Sequence, residues 1–424
     1  MSGNLHLNGS DYLMLGFDHE LRRQGFAGNS CQITLELAAA ISPDALRQRL
    51  AVLVNRHPVL RARLGGIIFP KWKTARSAAA YPQVRVHRHE PGLDQKLFNE
   101  PLTYQRGELL RFDLIERDAG RMTLVFTWAH ALMDAAGAEQ FFAVLGHEEL
   151  PLPALDFPQQ QRRARLRLRE RFRFAWKYLH QIDRFGKIAP RSPGIRNPAA
   201  PAQLRYHVEK FSNEETARIR AHGQCLGGVL GGAQFHAAAA MVELHQLHQR
   251  LGSATPSYVL PVAVGLRPKG TSEPLFSNQL TMLMLQFLPG QLDSVADAVN
   301  SLKTQTAQAL RAGLLESGIV LGEMFRFLPL PVYMAILKQG LRGEICSLFY
   351  GDTADVSPHL TSFLGATVED LAHAAPVTPA PGIGVIFYSF RGELRITVLH
   401  SLKVLNETEA AEFSARLRER LLNP

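Results

Sequence analysis

The chain is poor in cysteine and has no long uninterrupted hydrophobic run, and each shortage excludes a class of protein. The three cysteines among 424 residues, Cys31, Cys225 and Cys346, are widely spaced and odd in number. They argue against a disulfide framework and indicate a reducing compartment. Residues 3–23 mix polar and apolar side chains, unlike a secretory signal, so we expect a cytoplasmic protein. The most apolar segment, residues 318–337, carries two charges and two prolines, which disfavours a membrane-spanning helix.

Several catalytic and cofactor signatures are also missing. No Gly-x-Ser-x-Gly nucleophile elbow is present, and Thr271 stands where the lysine of a phosphate-binding loop is needed. The glycines of residues 227–232 lack the dinucleotide-binding pattern, so no tightly bound cofactor is expected. His245 and His248 do not have the spacing of a zinc-binding helix, and we predict no metal site.

Positive charge is concentrated in one segment. The formal net charge is +9, yet residues 162–196 alone hold twelve basic and two acidic residues, so the remainder is almost neutral. No aromatic-interleaved platform accompanies the charge, which argues against a nucleic-acid partner. A proline-rich linker follows at 190–201.

The basic segment also contains an apolar stripe with helical spacing, formed by Leu168, Phe172, Ala175, Leu179 and Ile182. Such a helix can lie on an anionic membrane, dock an acidic carrier protein, or cross between two lobes with solvated arginines. The candidate contacts for a carrier or a membrane are Arg163, Arg167, Arg171 and Lys177.

Strands alternate with helices along both halves of the chain, which predicts an α/β fold. Residues 31–37 alternate as a strand and lead into a helix at 43–55, and residues 111–117 and 122–130 form a predicted hairpin. Later segments predict helices at 213–222 and 232–251, strands at 258–266, 280–288, 383–390 and 394–400, and a helix capped by Asn406 that runs to Leu421. A chain of this length exceeds the usual size of a single core, so two domains are expected.

The most informative stretch is a histidine at the end of an apolar strand, followed four residues later by an aspartate. His130 falls in phase with the buried face of the 122–129 strand. Burial disfavours a charged imidazole, so a neutral ring nitrogen would be available near pH 7 for base catalysis. Asp134 also suits the N-cap of a helix from about Ala135 to Leu145. Spacing alone leaves the catalytic and the structural interpretation open.

Three further segments share this setting. Residues 56–64 read Arg-His-Pro-Val-Leu-Arg-Ala-Arg-Leu, residues 259–268 form an apolar strand with Arg267 near its end, and Ser277-Asn278-Gln279 precedes the next strand. Together with residues 128–137, and over nearly the whole chain, these pieces resemble the HxxxD acyltransferase superfamily. That group includes peptide-synthetase condensation domains, wax ester synthases and chloramphenicol acetyltransferase. The chain departs from the common form of the motif at Ala129, where a histidine is usual, and at Ala135, where a glycine is usual.

The resemblance implies an α/β fold of two similar chloramphenicol-acetyltransferase-like lobes in a V shape, with an active-site tunnel between them. The expected division is an N-terminal lobe at 1–161, a basic crossover helix and linker at 162–201, and a C-terminal lobe at 202–424. The implied reaction moves an acyl group from a thioester, either acyl-CoA or an acyl or peptidyl carrier protein, to a small-molecule alcohol or amine. Coenzyme A or phosphopantetheine thioester would be the co-substrate of a monomeric enzyme. The alternative is an inactive condensation-like domain that binds a carrier protein or serves as a scaffold.

Roles for individual residues also follow from the resemblance. His130 is cast as the general base, and Asp134 as a structural residue whose carboxylate turns toward an arginine, with Arg267 as the first candidate and Arg61 as the second. Gly137 is the candidate to supply the backbone freedom of the missing glycine. Hydrogen-bond donors or substrate contacts in the transition state are predicted at Asn278, Ser347, Tyr350 and Trp128.

Overall fold

The computed structural model describes residues 4–5, 7–66, 70–74, 82–151, 166–228, 231–253, 255–267, 274–356 and 358–424. The helices of these ranges are α1 Gly9–Arg23, α2 Pro43–Arg56, α3 Leu93–Phe98, α4 Ala135–Gly146, α5 Leu168–Lys187, α6 Asn213–Gly227, α7 Gly232–Arg250, α8 Val295–Arg311, α9 Leu314–Phe325, α10 Leu330–Gly340 and α11 Glu407–Leu422. The strands are β1 Asn4–Leu5, β2 Ser30–Leu37, β3 Ala62–Gly65, β4 Lys71–Thr74, β5 Gln83–Arg88, β6 Leu110–Glu116, β7 Met122–Ala129, β8 Leu204–Lys210, β9 Tyr258–Gly265, β10 Leu280–Phe287, β11 Phe349–Asp355, β12 Ser362–Phe363, β13 Ala366–Ala374, β14 Ile383–Phe390 and β15 Glu393–Ser401.

A mixed sheet with strand order β12-β13-β2-β7-β6-β5 organises the N-terminal half. Every residue of β7 is buried, and its ring at Phe126 stacks on Phe112 of β6 with centroids 4.9 Å apart. Phe141 and Phe142 of α4 pack onto the same aromatic cluster. The strand that leads to His130 is therefore held rigidly by core packing.

Two strands of this sheet, β12 and β13, come from the far end of the chain. β13 pairs antiparallel with β2, with Leu371 opposite Leu35 and His373 opposite Ile33. The segment lies within the range predicted as the C-terminal lobe, yet it completes the N-terminal sheet. The two halves are thus joined by strand pairing as well as by the crossover helix.

The C-terminal half is built on a second sheet with order β11-β14-β15-β8, and β9 and β10 form a separate antiparallel pair. Its core contains apolar side chains of α7, α8 and α11 packed on β14 and β15. The strands predicted at 383–390 and 394–400 are confirmed and pair antiparallel as β14 and β15, and Asn406 caps α11 with Glu409 in a capping box. β10 begins directly after Asn278 and Gln279, which places these two residues at the end of the C-terminal strand pair.

The structure confirms the helix predicted in the basic segment as α5. Its buried face coincides with the predicted apolar stripe over only part of the length of the helix. The buried residues of α5 are Ala175, Phe185 and Gly186, whereas Leu168 and Phe172 of the predicted stripe are exposed. The stripe repeats on average every 3.5 residues, whereas an α-helix has 3.6 residues per turn, so the stripe drifts around the helix. The face of α5 that packs against the protein instead includes Phe174, Tyr178 and Phe185. One end of the apolar stripe therefore faces outward.

Candidate functional site

His130 follows β7 directly and begins the loop that leads to α4. Its backbone N–H donates to the Asn29 carbonyl at 3.0 Å, which extends the pairing of β2 and β7 by one further residue. The Asn278 side-chain amide donates to the His130 carbonyl at 2.8 Å. The residue is partly exposed, but its Nδ1 atom is buried. Both backbone polar groups of His130 are therefore fixed, one from each half of the chain.

The surroundings of the imidazole favour its neutral form. Burial lowers the pKa of His130 below the ordinary 6.5, while its own carbonyl, the Asp134 carboxylate and the Met133 carbonyl act in the opposite direction. Within the described part of the chain, no hydrogen bond of good geometry reaches Nδ1. A neutral imidazole at pH 7 retains one nitrogen lone pair, which base catalysis requires.

Asp134 is the N-cap of α4 and faces away from the histidine. One carboxylate oxygen accepts the Gly137 backbone N–H at 2.9 Å. The other accepts Arg267 Nη1 at 2.6 Å and the Gln279 backbone N–H at 2.8 Å. Arg267 in turn donates to the Pro274 carbonyl at 2.9 Å. This largely buried ion pair ties the His130–Asp134 loop to the loop before β10.

The backbone at Ala135 and Gly137 shows whether glycine is needed at either position. Ala135 is the first residue of α4 with ordinary helical backbone, so no glycine is needed there for a left-handed conformation. At Gly137 a Cβ atom would lie 2.4 Å from the Leu275 carbonyl oxygen. Gly137 therefore permits a close approach of α4 to the C-terminal half, and it does not supply a turn.

Asp11 is a buried carboxylate that acts on the His130–Asp134 loop through Asn278, and it was not identified from the sequence. Asp11, in the first turn of α1, accepts both the backbone N–H of Asn278 at 2.7 Å and its side-chain amide at 2.9 Å. Burial raises the pKa of Asp11 to about 7, against the opposing effect of the Asn278 and Asn8 donors. Asp11 holds Asn278, and Asn278 holds the His130 carbonyl. The Asn-x-x-Asp spacing at 8 and 11 is a sequence signal for the start of α1, where the structure has a capping box, but no local signal indicates a contact 267 residues away.

Trp128 and Asn278 are predicted from the sequence to contact substrate, but their side-chain N–H groups donate to protein groups that hold the His130–Asp134 loop. The Trp128 indole N–H donates to the Met133 carbonyl at 3.0 Å, and its ring is buried against Phe126. Asn278 uses its side-chain N–H groups on Asp11 and His130. Both side chains therefore fix the loop, and neither retains a described free donor for a reacting oxygen.

Arg61, Ser347 and Tyr350 are not brought into this network. No hydrogen bond or ion pair between described residues joins Arg61 to Asp134, whose partner is Arg267. The buried Ser347 hydroxyl accepts the Val259 backbone N–H at 3.0 Å and so links two segments of the C-terminal half. The Tyr350 hydroxyl donates to the Ala233 carbonyl at 2.8 Å. The proton that Tyr350 would donate to a reacting oxygen is already engaged.

The basic candidates divide between two environments. Lys177 of α5 and Arg167, the N-cap residue of that helix, are exposed, whereas Arg171 is half-buried and donates to the Leu166 carbonyl at 3.1 Å. Arg163 lies outside the described residues. In the described ranges, no three histidine, cysteine or acidic side chains converge as a metal site. Over the same ranges, no single helix is long and apolar enough to cross a membrane, although the bent pair α6 and α7 passes on length and composition.

The two-lobe α/β fold is shared with solved condensation domains and with an acetyltransferase. The chain is similar to the first condensation domain of the calcium-dependent antibiotic synthetase, with a TM-score of 0.72, 16% identity, and coverage of 99% of this chain and 96% of that one. It is also similar to trichothecene 15-O-acetyltransferase from Fusarium sporotrichioides, with a TM-score of 0.69, 13% identity, and coverage of 99% and 95%. The condensation domain of the monacolin K polyketide synthase gives a TM-score of 0.67 at 14% identity, with coverage of 99% and 97%.

These similarities confirm the predicted fold and, at the level of the fold, the resemblance to the condensation and acyltransferase superfamily. No protein-family model and no curated protein sequence matches the chain. At identities below 20%, the shared fold leaves the reaction to be argued from the chain's own residues.

Proposed function

We propose that the protein is an acyltransferase that uses His130 as a general base. The observation that carries the proposal is the imidazole at the end of β7, with its backbone fixed from both halves and its pKa held below 6.5 by burial. The fold shared with condensation domains and an acetyltransferase supports transfer of an acyl group. The donor is a thioester of coenzyme A or of a carrier-protein phosphopantetheine, and the acceptor is a small-molecule alcohol or amine.

The proposed reaction needs one proton acceptor that later returns the proton. The ring nitrogen away from the buried Nδ1 takes the proton from the acceptor O–H or N–H as that atom attacks the thioester carbonyl carbon. The carbon–sulfur bond then breaks, and the imidazolium gives the proton to the departing thiolate. The new ester or amide and a free thiol are released, and no covalent acyl-enzyme is required. Placing both substrates at one imidazole replaces a bimolecular encounter by positioning.

The remaining contacts have a supporting role in this proposal. Asp134 and Arg267 hold the loop between the halves, and Asp11 acts on it through Asn278. The regular backbone at Ala135 supports an active enzyme over an inactive scaffold, because the loss of glycine at that position does not disturb the loop. Catalysis is therefore the better-supported of the two functions.

The test uses purified full-length protein with a panel of acyl-CoA and acyl carrier-protein donors and of alcohol and amine acceptors. Thiol release and product masses are measured for the wild type and for His130→Ala and His130→Gln. We expect both variants to lose about 10²- to 10⁴-fold in rate, since that is the usual contribution of a general base. His207→Ala is the matched control, because His207 is an exposed histidine on β8. A folded His130→Ala protein with the full rate would contradict the base assignment, and a wild type inert toward the whole panel would favour the scaffold.

A further inference from the structure

The outward half of α5 carries two adjacent surfaces of different chemistry. At 100° per residue, Leu168, Phe172 and Trp176 fall within a sector of about 80°. They are exposed to 67%, 58% and 70% respectively. Three large apolar side chains on one exposed strip form a patch of the kind that marks interaction sites, unlike singly scattered surface hydrophobics.

The sector beside this strip is basic. Arg169, Arg173 and Lys177 each follow a member of the strip by one residue, and all three are exposed. No ion pair between described residues neutralises any of them. Among the exposed residues from 167 to 187, six are basic and only Asp183 is acidic. The charge is therefore available to an anionic partner along about five helical turns.

The turn after α9 carries a further exposed aromatic side chain toward the start of α5. A Cβ atom at Gly318 of α9 would lie 2.9 Å from the Tyr178 ring of α5, and Leu314 lines a cavity with Phe185, so α9 runs antiparallel to α5. The turn after α9 therefore lies toward the start of α5. In that turn Phe327 is 61% exposed, with the Arg326 guanidinium 4.5 Å from its ring centre. An exposed aromatic side chain beside an arginine thus recurs at this end of the helical layer.

We propose that the outer face of α5 binds the surface of an anionic phospholipid bilayer. The helix would lie parallel to the membrane, with Phe172 and Trp176 at the boundary between headgroups and acyl chains. Arg169, Arg173 and Lys177 would reach the lipid phosphates from the adjacent sector. A convex strip of apolar side chains bordered by basic residues without ion-pair partners matches a planar anionic surface. This binding is a peripheral attachment and does not depend on His130.

Trp176 makes the proposal directly measurable. The chain has three tryptophans, and Trp72 and Trp128 are only 4% and 2% exposed, so a change in tryptophan emission on binding reports on α5. With vesicles containing phosphatidylglycerol, we expect a blue shift of the emission and quenching by brominated lipid. Vesicles of phosphatidylcholine alone should give neither effect, and high salt should weaken the binding.

Variants separate the two sectors. Arg169→Gln, Arg173→Gln and Lys177→Gln combined should lower partitioning onto anionic vesicles about a hundredfold, since each basic residue near the surface contributes about fivefold. Phe172→Ser with Trp176→Ser should abolish co-sedimentation at physiological salt. The charge-matched control combines Arg88→Gln, Arg121→Gln and Lys303→Gln, which are exposed and distant in sequence from α5. His130→Ala should bind vesicles like the wild type.

Three results would overturn the proposal. The first is wild-type emission that does not change with anionic vesicles. The second is equal loss of binding in the α5 triple variant and the control triple variant, which would indicate a general charge effect. The third is an emission shift produced by a purified acidic acyl carrier protein and not by vesicles, which would make the face a protein-docking surface.

Discussion

Replacing Arg267 by methionine would remove the guanidinium from a carboxylate that has little access to water. The side chains of Arg267 and Asp134 are only 10% and 8% exposed, and their atoms meet at 2.6 Å. Methionine keeps most of the aliphatic length of arginine, so the loss is chiefly electrostatic. The Pro274 carbonyl would lose the same donor. The variant tests whether this cross-half contact holds the His130 loop.

The expected cost follows from what remains around Asp134. Breaking a buried ion pair by removing one partner costs about 3 to 5 kcal/mol in the free energy of unfolding. Two backbone donors, those of Gly137 and Gln279, still reach the carboxylate, so we expect a value of about 3 kcal/mol. Asp134→Asn in the same chain removes the uncompensated charge and should restore part of that loss.

Urea denaturation followed by two independent probes measures the effect, provided the transitions coincide. Arg416→Met is the matched control, because Arg416 pairs with Glu412 on the exposed surface of α11 and should cost less than about 0.5 kcal/mol. A deficit below about 1 kcal/mol, or one that the Asp134→Asn background leaves unchanged, would refute the reasoning.

Three further outcomes are expected. Gly137→Ala should lower the free energy of unfolding in urea by about 1 to 3 kcal/mol, because the new Cβ atom would meet the Leu275 carbonyl. Gly232→Ala should not destabilise the protein, because no atom lies within 4 Å of the Cβ position there. Equal effects of the two substitutions would refute the close-approach argument. Burial lowers the pKa of His248 to about 4, so its contribution to stability is present above pH 6.5 and is lost as pH falls, by about 3 kcal/mol at pH 4. His248→Gln should reduce the loss of unfolding free energy between pH 6.5 and pH 4. An unchanged slope of unfolding free energy against pH would contradict the assignment of this loss to His248. Acyl-transfer kcat/KM should show an acid limb with a pKa below 6.5 and be level from pH 7, because only neutral His130 accepts a proton; a limb centred above 7 would exclude this base.

The parts of the fold that could be predicted from sequence are those with local signals. Alternation identified β7, and the N-cap rule located the start of α4 at Asp134, because both patterns lie within a few neighbouring residues. The bonds of Asp11 to Asn278 and of β13 to β2 join segments hundreds of residues apart, and no local pattern encodes them. The pairing of Asp134 with Arg267 was anticipated only through the family resemblance. Periodicity predicted α5, but small errors of phase accumulate along a helix, so its outward face was visible only in the structure.

The pairing of β13 with β2 has a practical consequence for dividing the protein. A fragment that stops at residue 201 would leave one edge of β2 bare, with Ile33 and Leu35 beside unsatisfied backbone groups. Such an edge recruits strands from other molecules, so the fragment should self-associate. Supplying residues 202–424 as a second polypeptide should suppress that self-association by trans-complementation, since the missing strand is carried on the other piece.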